Sequence, residues 1–557
     1  MSQTESSASE DFQAEADANP ELDAVIIGAG FSGLYMLARL RRLGYSARLF
    51  EAGGDVGGTW YWNRYPGARS DSDSTVYCFS DRFDEDLLRE WEWSERYPSQ
   101  PEILRYLRWV ADRMGLRGDI RFDTRVSSSV YDEQANRWTV RTDAGEQVRA
   151  RLFFPAVGVL SNPVVPDFDG LDSFTGQWFH TARMPREGVD FTGKRVAVIG
   201  NGATAVQIVP EVARDAAHVW EFQRNPYHCL PGRNHRLDAD DWDEIHTHHK
   251  EIWEQARNNF GGFPYSDFVG VAADFSPGER RQLLEESWQK GGFPLAFATF
   301  SDVAENTATN DEYLDFLRSK IDEIVRDPAV AELVMPKVPF VSKRPPIEHG
   351  YYAAFNRDNV TLVDMKSSPV QCVTPTGIRT ADGEYEVDII VIATGFDAFT
   401  GSLTAMEIRG RGGQLLSEAW AGGPRDYLGL AVSGFPNMFL VFCGPFNPAI
   451  LTNAPTLIEQ QGEWIIQCLE HMSAAGRDCV EALPEAEREF LRLHREVSEQ
   501  TLIPGTDSWW TGANVAGKTR TVLSWCGGFP EYRRLCDEEA AGNYPGFSMR
   551  ATTGTTR

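Results

Sequence analysis

Three short stretches hold the residue types that could do chemistry. The first is Gly28-Ala29-Gly30-Phe31-Ser32-Gly33, a G-x-G-x-x-G run with Glu51 at the end of the next apolar stretch. In such a turn the first glycine allows the tight bend, the second lets a pyrophosphate approach the backbone, and the third lets helix and strand pack closely. The helix N-terminus faces the phosphates, and the acid accepts hydrogen bonds from a ribose. The second is Gly200-Asn201-Gly202-Ala203-Thr204-Ala205, a G-x-G-x-x-A version, with Arg224 where the first has Glu51. A guanidinium suits a ribose 2′-phosphate by charge and by its forked donors, and an acid would repel it. The third is Lys343-Arg344-Pro345-Pro346, two adjacent cations at a proline stop. On residue types alone it is a basic turn before a helix.

The elements that must position these residues are legible around them. Ala24–Ile27 and Ala47–Phe50 have strand character and flank the helical pattern LYMLARLRRLGYS; Arg195–Ile199 and Val219–Gln223 repeat the arrangement. Apolar spacing predicts helix over 85–115, and IRFDTRV, WTVRTD and ARLFFPAV within 119–155 predict short strands. A glycine-rich loop, Gly53 to Thr59, leads into the aromatic segment Trp60 to Asp71, which reads as a core loop or as a wall around a flat ring. Residues 231–335 are charged and helical in spacing. His246, His248 and His249 lie there among acids and lack a third ligand at helical spacing, so no metal is expected. Asp388–Ile392 predicts a buried strand running into Ala393-Thr394-Gly395, and Ile458-Glu459-Gln460-Gln461 opens a late helix.

At 557 residues the chain is long enough for two or three domains. A net charge of −27 argues against nucleic acid or an anionic membrane as partner. There is no apolar run of membrane-spanning length, residues 1–20 read as a disordered acidic tail without signal-peptide character, and the 8 scattered cysteines form no C-x-x-C pair. Those features predict a cytoplasmic protein, a monomer or small homo-oligomer.

From Gly57 to Asp71 the sequence matches G-G-x-W-x-x-x-x-[FY]-P-G-x-x-x-D throughout, and in this it resembles the flavin-dependent Baeyer–Villiger monooxygenases that use FAD and NADPH. Phe174, Gly176, His180 and Pro185 match the family signature F-x-G-x-x-x-H-x-x-x-W-[PD], with Met184 where the tryptophan is expected. The resemblance implies an α/β fold with two three-layer, Rossmann-like dinucleotide-binding domains. The first, for FAD, would run 21–158 and 388–548. The second, for NADPH, would run 159–230 and 336–387 with a helical insertion at 231–335, and 549–557 would be a flexible tail. It implies FAD contacts from Phe31, Gly58, Thr59, Trp60, Tyr65, Asp71 and Tyr77, with Ala393, Thr394 and Gly395 returning the chain to the FAD domain. Lys343 would join Arg224 at the NADPH 2′-phosphate, Trp509 would belong to a loop that closes over the coenzyme, and His180 would be a structural or hinge residue. Arg344 would be the catalytic arginine and Asp71 its partner. Phe446, Asn447 and Leu451 would line the substrate pocket. The implied reaction converts a ketone to an ester or lactone with O2 and NADPH through a flavin peroxide.

Two other readings stay open at this point. A sulfide- or amine-oxidising flavin monooxygenase would suit the missing tryptophan, whereas Arg344 speaks against it. A non-catalytic flavin redox sensor would need no pocket arginine. A disulfide reductase needs a C-x-x-C beside the flavin, and none is present.

Overall fold

The computed structural model describes residues 21–552; the tail expected at 1–20 lies outside them. The first sheet has seven strands, in the order Glu407–Arg409, Val126–Asp132, Arg137–Thr142, Gln147–Pro155, Glu21–Ile27, Ala47–Phe50 and Ile120–Arg121. Glu21–Ile27 lies centrally, parallel to both Ala47–Phe50 and Gln147–Pro155. Its side chains alternate between two cores. Ala24 and Ile26 join the core that contains helices Phe31–Arg42, Gln100–Arg113 and Ala454–Ala474, and Val25 and Ile27 join a core with Trp138, Val140, Leu416 and Trp420. Each sheet face is therefore covered, which gives three layers.

The second sheet is all parallel: Val360–Asp364, His218–Gln223, Arg195–Ile199, Ile389–Ile392 and Gln177–His180. Val196 and Val198 face the core shared with helix Ala203–Val212. Ala197 and Ile199 face Val373 and Ile378 of a three-stranded antiparallel sheet. Between 239 and 334 the chain forms four longer helices, Ala239–Asn258, Pro277–Lys290, Thr307–Ile324 and Pro328–Val334. Each starts where the sequence supplies a cap: Asp238 and Ser276 in capping boxes, then Asn306 and Asp327. His248 is exposed and His249 buried on the first of these, and among the described residues no three His, Cys, Asp or Glu converge as metal ligands.

The chain crosses between the two sheets in two segments that pair with each other. Val164 N–H donates to Gly395 O at 2.9 Å, Asp397 N–H to Asn162 O at 2.8 Å, and Pro163 and Phe396 form an antiparallel bridge. This places the crossing after Ala393 and corrects the boundary expected at 388, because Ile389–Ile392 hydrogen-bonds within the second sheet on both sides. The tail expected at 549–557 is also corrected in part. Phe547–Arg550 pairs with Cys479–Ala482, and Thr552 is held by Asp478. The run IRFDTRV breaks after Arg121, where Asp123 takes a left-handed φ of 51°, and pairing resumes at Val126. The late helix starts four residues before Ile458, at Ala454, with a proline in its first turn. No helix among the described residues is long and apolar enough to cross a membrane, and all eight cysteines are free.

Close packing at the first turn has a measurable consequence. A Cβ on Gly33 would lie 1.8 Å from the Gly28 carbonyl oxygen, a backbone atom that cannot move aside. Gly33→Ala should lower stability by about 3 kcal/mol or more, at the upper end of overpacking, read as a fall in Tm and in soluble yield. Unchanged Tm would mean that helix and strand can separate there.

Candidate active site

At the first glycine turn, helix Phe31–Arg42 begins straight after Gly30 with no side-chain cap. Its first N–H groups are thus available to an anion. A Cβ on Gly58, whose φ is 53°, would lie 2.8 Å from the Gly30 Cα, and Gly57 N–H donates to Ala29 O at 2.8 Å. Loop-on-loop contact therefore requires glycine at 58, while a Cβ on Gly30 would lie 3.4 Å from the Gly58 Cα. Glu51 is 4% exposed and accepts from Ala29 N–H at 2.8 Å and Gly53 N–H at 2.6 Å. Burial raises its carboxyl above the ordinary range, against the pull of those two bonds. Each oxygen keeps a lone-pair direction for a ribose hydroxyl.

The aromatic segment after this turn is ordered by its own hydrogen bonds. Trp60 Nε1–H donates to the Tyr77 hydroxyl at 3.1 Å, and the Tyr77 ring meets Phe31 edge-on at 5.4 Å. Thr59 is exposed and opens the short helix Thr59–Trp62. Tyr65 donates to Gln207 Oε1 at 2.8 Å, and Gln207 Nε2–H reaches Arg69 O at 3.1 Å. Gln207 lies on helix Ala203–Val212, so Tyr65 ties the FAD-type segment to the second fold. Burial pushes the Tyr65 phenol up to about 12.

Arg344 and Asp71, 273 residues apart, meet in a bidentate ion pair: Nε to Oδ2 at 2.6 Å and Nη2 to Oδ1 at 2.9 Å. Nη1 donates to Ile450 O at 2.8 Å and reaches Thr452 O at 3.5 Å. One Nη2 proton stays free. The guanidinium carbon lies 4.6 Å from the Phe293 ring centre and 5.6 Å from that of Phe263. The same loop as Ile450 carries three buried polar atoms without a protein partner, Asn447 Nδ2, Thr452 Oγ1 and Asn453 Oδ1. Phe446 is fully enclosed and packs tilted against His494, ring centres 4.4 Å apart, and Asn447 is also fully enclosed, its carbonyl held by Trp525 N–H and Ser524. Of the three residues expected in the substrate pocket, Phe446 and Asn447 thus support the loop, and Leu451 is 4% exposed.

At the second turn, Gly200 has φ 113° and sits against Ala393 O, whereas a Cβ on Gly202 would meet nothing within 4 Å. Ala203 and Thr204 open helix Ala203–Val212, again with no side-chain cap. Arg224 is exposed and Lys343 is buried with Nζ 4.6 Å over the Tyr227 ring. Burial, then the charges of Arg224 and Lys366, lower the Lys343 amine to about 8. Among the described residues none of these three cations has a carboxylate within 4.0 Å. Lys366 was not expected from sequence.

His180 ends strand Gln177–His180. Its Nδ1 accepts from Ala182 N–H at 3.1 Å, so Nε2–H donates to Gly395 O at 3.1 Å. It bears on the crossing between the sheets. Phe174 packs in the second-sheet core, a Cβ on Gly176 would strike Asp388 O, and Met184 beside Pro185 is buried in the main core. Thr394 Oγ1–H donates to Val164 O at 2.5 Å. Trp509 is half-buried in a short 3-10 turn. The segment after it is clasped to the crossing: Asn514 Nδ2–H to Phe396 O at 2.8 Å, Lys518 Nζ to Asp397 at 2.6 Å and to Ala398 O at 2.7 Å.

Phe263 and Phe293 were missed from sequence although a signal exists. Gly-Gly-Phe-Pro occurs at 261–264, 291–294 and 527–530. The second glycine is left-handed each time, with φ of 69°, 75° and 80°, and the first two copies each deliver a phenylalanine to Arg344.

A family model described as flavin-binding monooxygenase-like matches residues 23–230. A Baeyer–Villiger monooxygenase of Pseudooceanicola batsensis is 43% identical over 92% of this chain and 93% of its own length. The chain belongs to the Baeyer–Villiger monooxygenase family. An acetone monooxygenase (methyl acetate-forming) of Gordonia sp. is 41% identical over 95% of this chain and 99% of its own. The solved structure of an oxidised steroid monooxygenase bound to NADP superimposes with a TM-score of 0.91 at 45% identity, over 95% of this chain and 100% of that one. The family thus accounts for both sheets and the insertion, since these matches run nearly the length of the monooxygenase.

The Lys343 amine yields a pH prediction. Lowered to about 8, it is charged below that pH and neutral above it. An anion held by it is favoured at pH 7 and disfavoured at pH 9. The preference for NADPH over NADH, measured as a ratio of kcat/KM, should fall about tenfold across that interval, one charged hydrogen bond being worth roughly 1.5–3 kcal/mol. Lys343→Arg should flatten the profile. A ratio independent of pH in the natural enzyme would mean that Lys343 does not touch the phosphate.

Proposed function

We propose that this protein oxidises a ketone to an ester or lactone with O2 and NADPH, and that Arg344 is its catalytic charge. The observation that carries the reading is the Arg344 geometry: a permanent cation, held on two sides by Asp71 and Ile450 O, with one N–H left to offer. FAD fits the first turn. The uncapped helix start suits its pyrophosphate, Glu51 its ribose, and the unpartnered amide, hydroxyl and carbonyl of Asn447, Thr452 and Asn453 suit a ring edge with donors and acceptors. NADPH fits the second, where Gly202 leaves space and three unpaired cations await a phosphate. When bound, FAD supplies the redox chemistry that takes hydride from NADPH and activates O2.

The protein's own part is positioning and charge. As oxygen adds to the ketone carbon, negative charge grows on the carbonyl oxygen, and the free Nη2–H of Arg344 can donate to it. Asp71 orients the guanidinium without removing its proton, since arginine stays charged at working pH. The enclosed aromatic surround of Phe263 and Phe293 keeps water from that charge. The free cysteines support a reducing, cytoplasmic setting.

Arg344→Ala should retain FAD and NADPH-dependent flavin reduction yet lose ester formation by about 10²–10³-fold, the size of losing one oxyanion donor. Reducing equivalents should appear as hydrogen peroxide. Asp71→Ala should show a weaker form. A ketone panel with product mass spectrometry, looking for addition of one oxygen, checks both. Ester at near wild-type rate from Arg344→Ala would remove the arginine from the site; oxidation of sulfides or amines only, with no ester from any ketone, would favour the heteroatom-oxidising reading.

A further inference from the structure

The aromatic faces that Arg344 rests on are themselves anchored at one buried carboxylate. Asp73 is 7% exposed. It accepts from Arg96 Nε on one oxygen and from the Tyr265 hydroxyl on the other. Neither bond touches Arg344, and each leads to one of its two phenylalanines.

On the Arg96 side, Nη1–H donates to Lys290 O at 2.8 Å and Nη2–H reaches Gly291 O at 3.5 Å. These carbonyls immediately precede Gly292-Phe293. The turn is further fixed by Gly292 N–H donating to Pro231 O at 2.8 Å and by Tyr97, whose hydroxyl fills the space a Gly292 side chain would need. On the Tyr265 side, the phenol ring stacks on Phe263 at 5.6 Å with an interplanar angle of 19°. Burial, and then the adjacent Asp73 charge, push the Tyr265 phenol well above its ordinary range, so it stays a donor. Phe263 and Phe293 meet each other at 5.1 Å, and the guanidinium sits against both. Asp73 therefore joins the two Gly-Gly-Phe-Pro turns of the insertion to the same loop that presents Asp71.

We propose that Asp73, through the Arg96 and Tyr265 arms, is a positioning residue for Arg344: it fixes the aromatic floor on which the catalytic guanidinium lies, and so sets how much reduced flavin is committed to product. This rests on the function proposed above. Asp73 makes no contact with the reacting atoms. Removing its charge leaves the half-buried Arg96 without its carboxylate, frees both turns, and lets the guanidinium leave the Phe293 face while its Asp71 bonds remain.

The test uses the FAD-loaded enzyme as wild type, Asp73→Asn, Asp73→Glu and Tyr265→Phe, and as Arg344→Ala with and without Asp73→Asn. Flavin reduction by NADPH, ester formed per NADPH and hydrogen peroxide are measured, and the crystal structure of Asp73→Asn is solved. Asp73→Asn should be reduced within twofold of wild type but form at least fivefold less ester per NADPH, with peroxide making up the difference. Asp73→Glu should restore most of the coupling. Tyr265→Phe, which keeps the stacked ring and loses one hydrogen bond, should fall between, and it stands in if Asp73→Asn does not fold. Placed on Arg344→Ala, Asp73→Asn should add no further peroxide. In the crystal the guanidinium should have left its 4.6 Å seat on Phe293. An unmoved guanidinium, full coupling in both Asp73→Asn and Tyr265→Phe, or loss of reduction and coupling together without rescue by Asp73→Glu overturns the inference. A wild type that makes no ester overturns the proposed function instead, and the crystallographic comparison still decides the inference.

Discussion

Asp71, Arg344 and Ile450 come from three distant parts of the chain and meet at one guanidinium. Most of the tertiary organisation around the site serves that meeting. Asp71 is delivered by the loop packed on the first glycine turn, Arg344 by the segment that re-enters the second fold after the insertion, and Ile450 by the loop before the long helix Ala454–Ala474. A guanidinium stripped of most of its water is stable only if its donors are matched and its faces covered. The bidentate carboxylate and the carbonyl meet the first need, and two phenylalanine faces meet the second.

How much of this was legible in sequence depended on the range of the interactions. The glycine turns are local: strand, turn, helix and acid lie within about thirty residues, and their geometry follows from steric rules that hold in any fold. Lys343 and Arg344 were visible only through resemblance, because a basic turn before a proline has no intrinsic meaning. The aromatic floor was not seen at all. Phe263 and Phe293 sit in a helical insertion whose apolar residues look like ordinary core, and nothing local says which of them faces a cation. Their repeated Gly-Gly-Phe-Pro setting was readable, but its purpose appears only when both turns arrive at one point. The sheet boundary near 388 was misplaced for a related reason. A buried apolar strand has the same pattern in either sheet, and only pairing partners decide where Ile389–Ile392 belongs.

The charge distribution runs against the overall composition. In a chain of net charge −27, Arg224, Lys343 and Lys366 stand together with no carboxylate at contact distance among the described residues. Mutual repulsion between them favours an anion that relieves it.

The two crossings between the sheets form a single two-stranded antiparallel ribbon, Asn162–Val164 against Gly395–Asp397, with the Asn514–Lys518 segment fastened to its second strand. A pair of hydrogen-bonded strands behaves mechanically unlike two separate tethers. It bends across its flat face with little resistance but resists shear and twist, since either would pull its register apart. The ribbon thus links the two sheets by paired backbone rather than by two independent strands. Because the Asn514–Lys518 segment is pinned to this same ribbon, a bend of the ribbon would carry that segment with it.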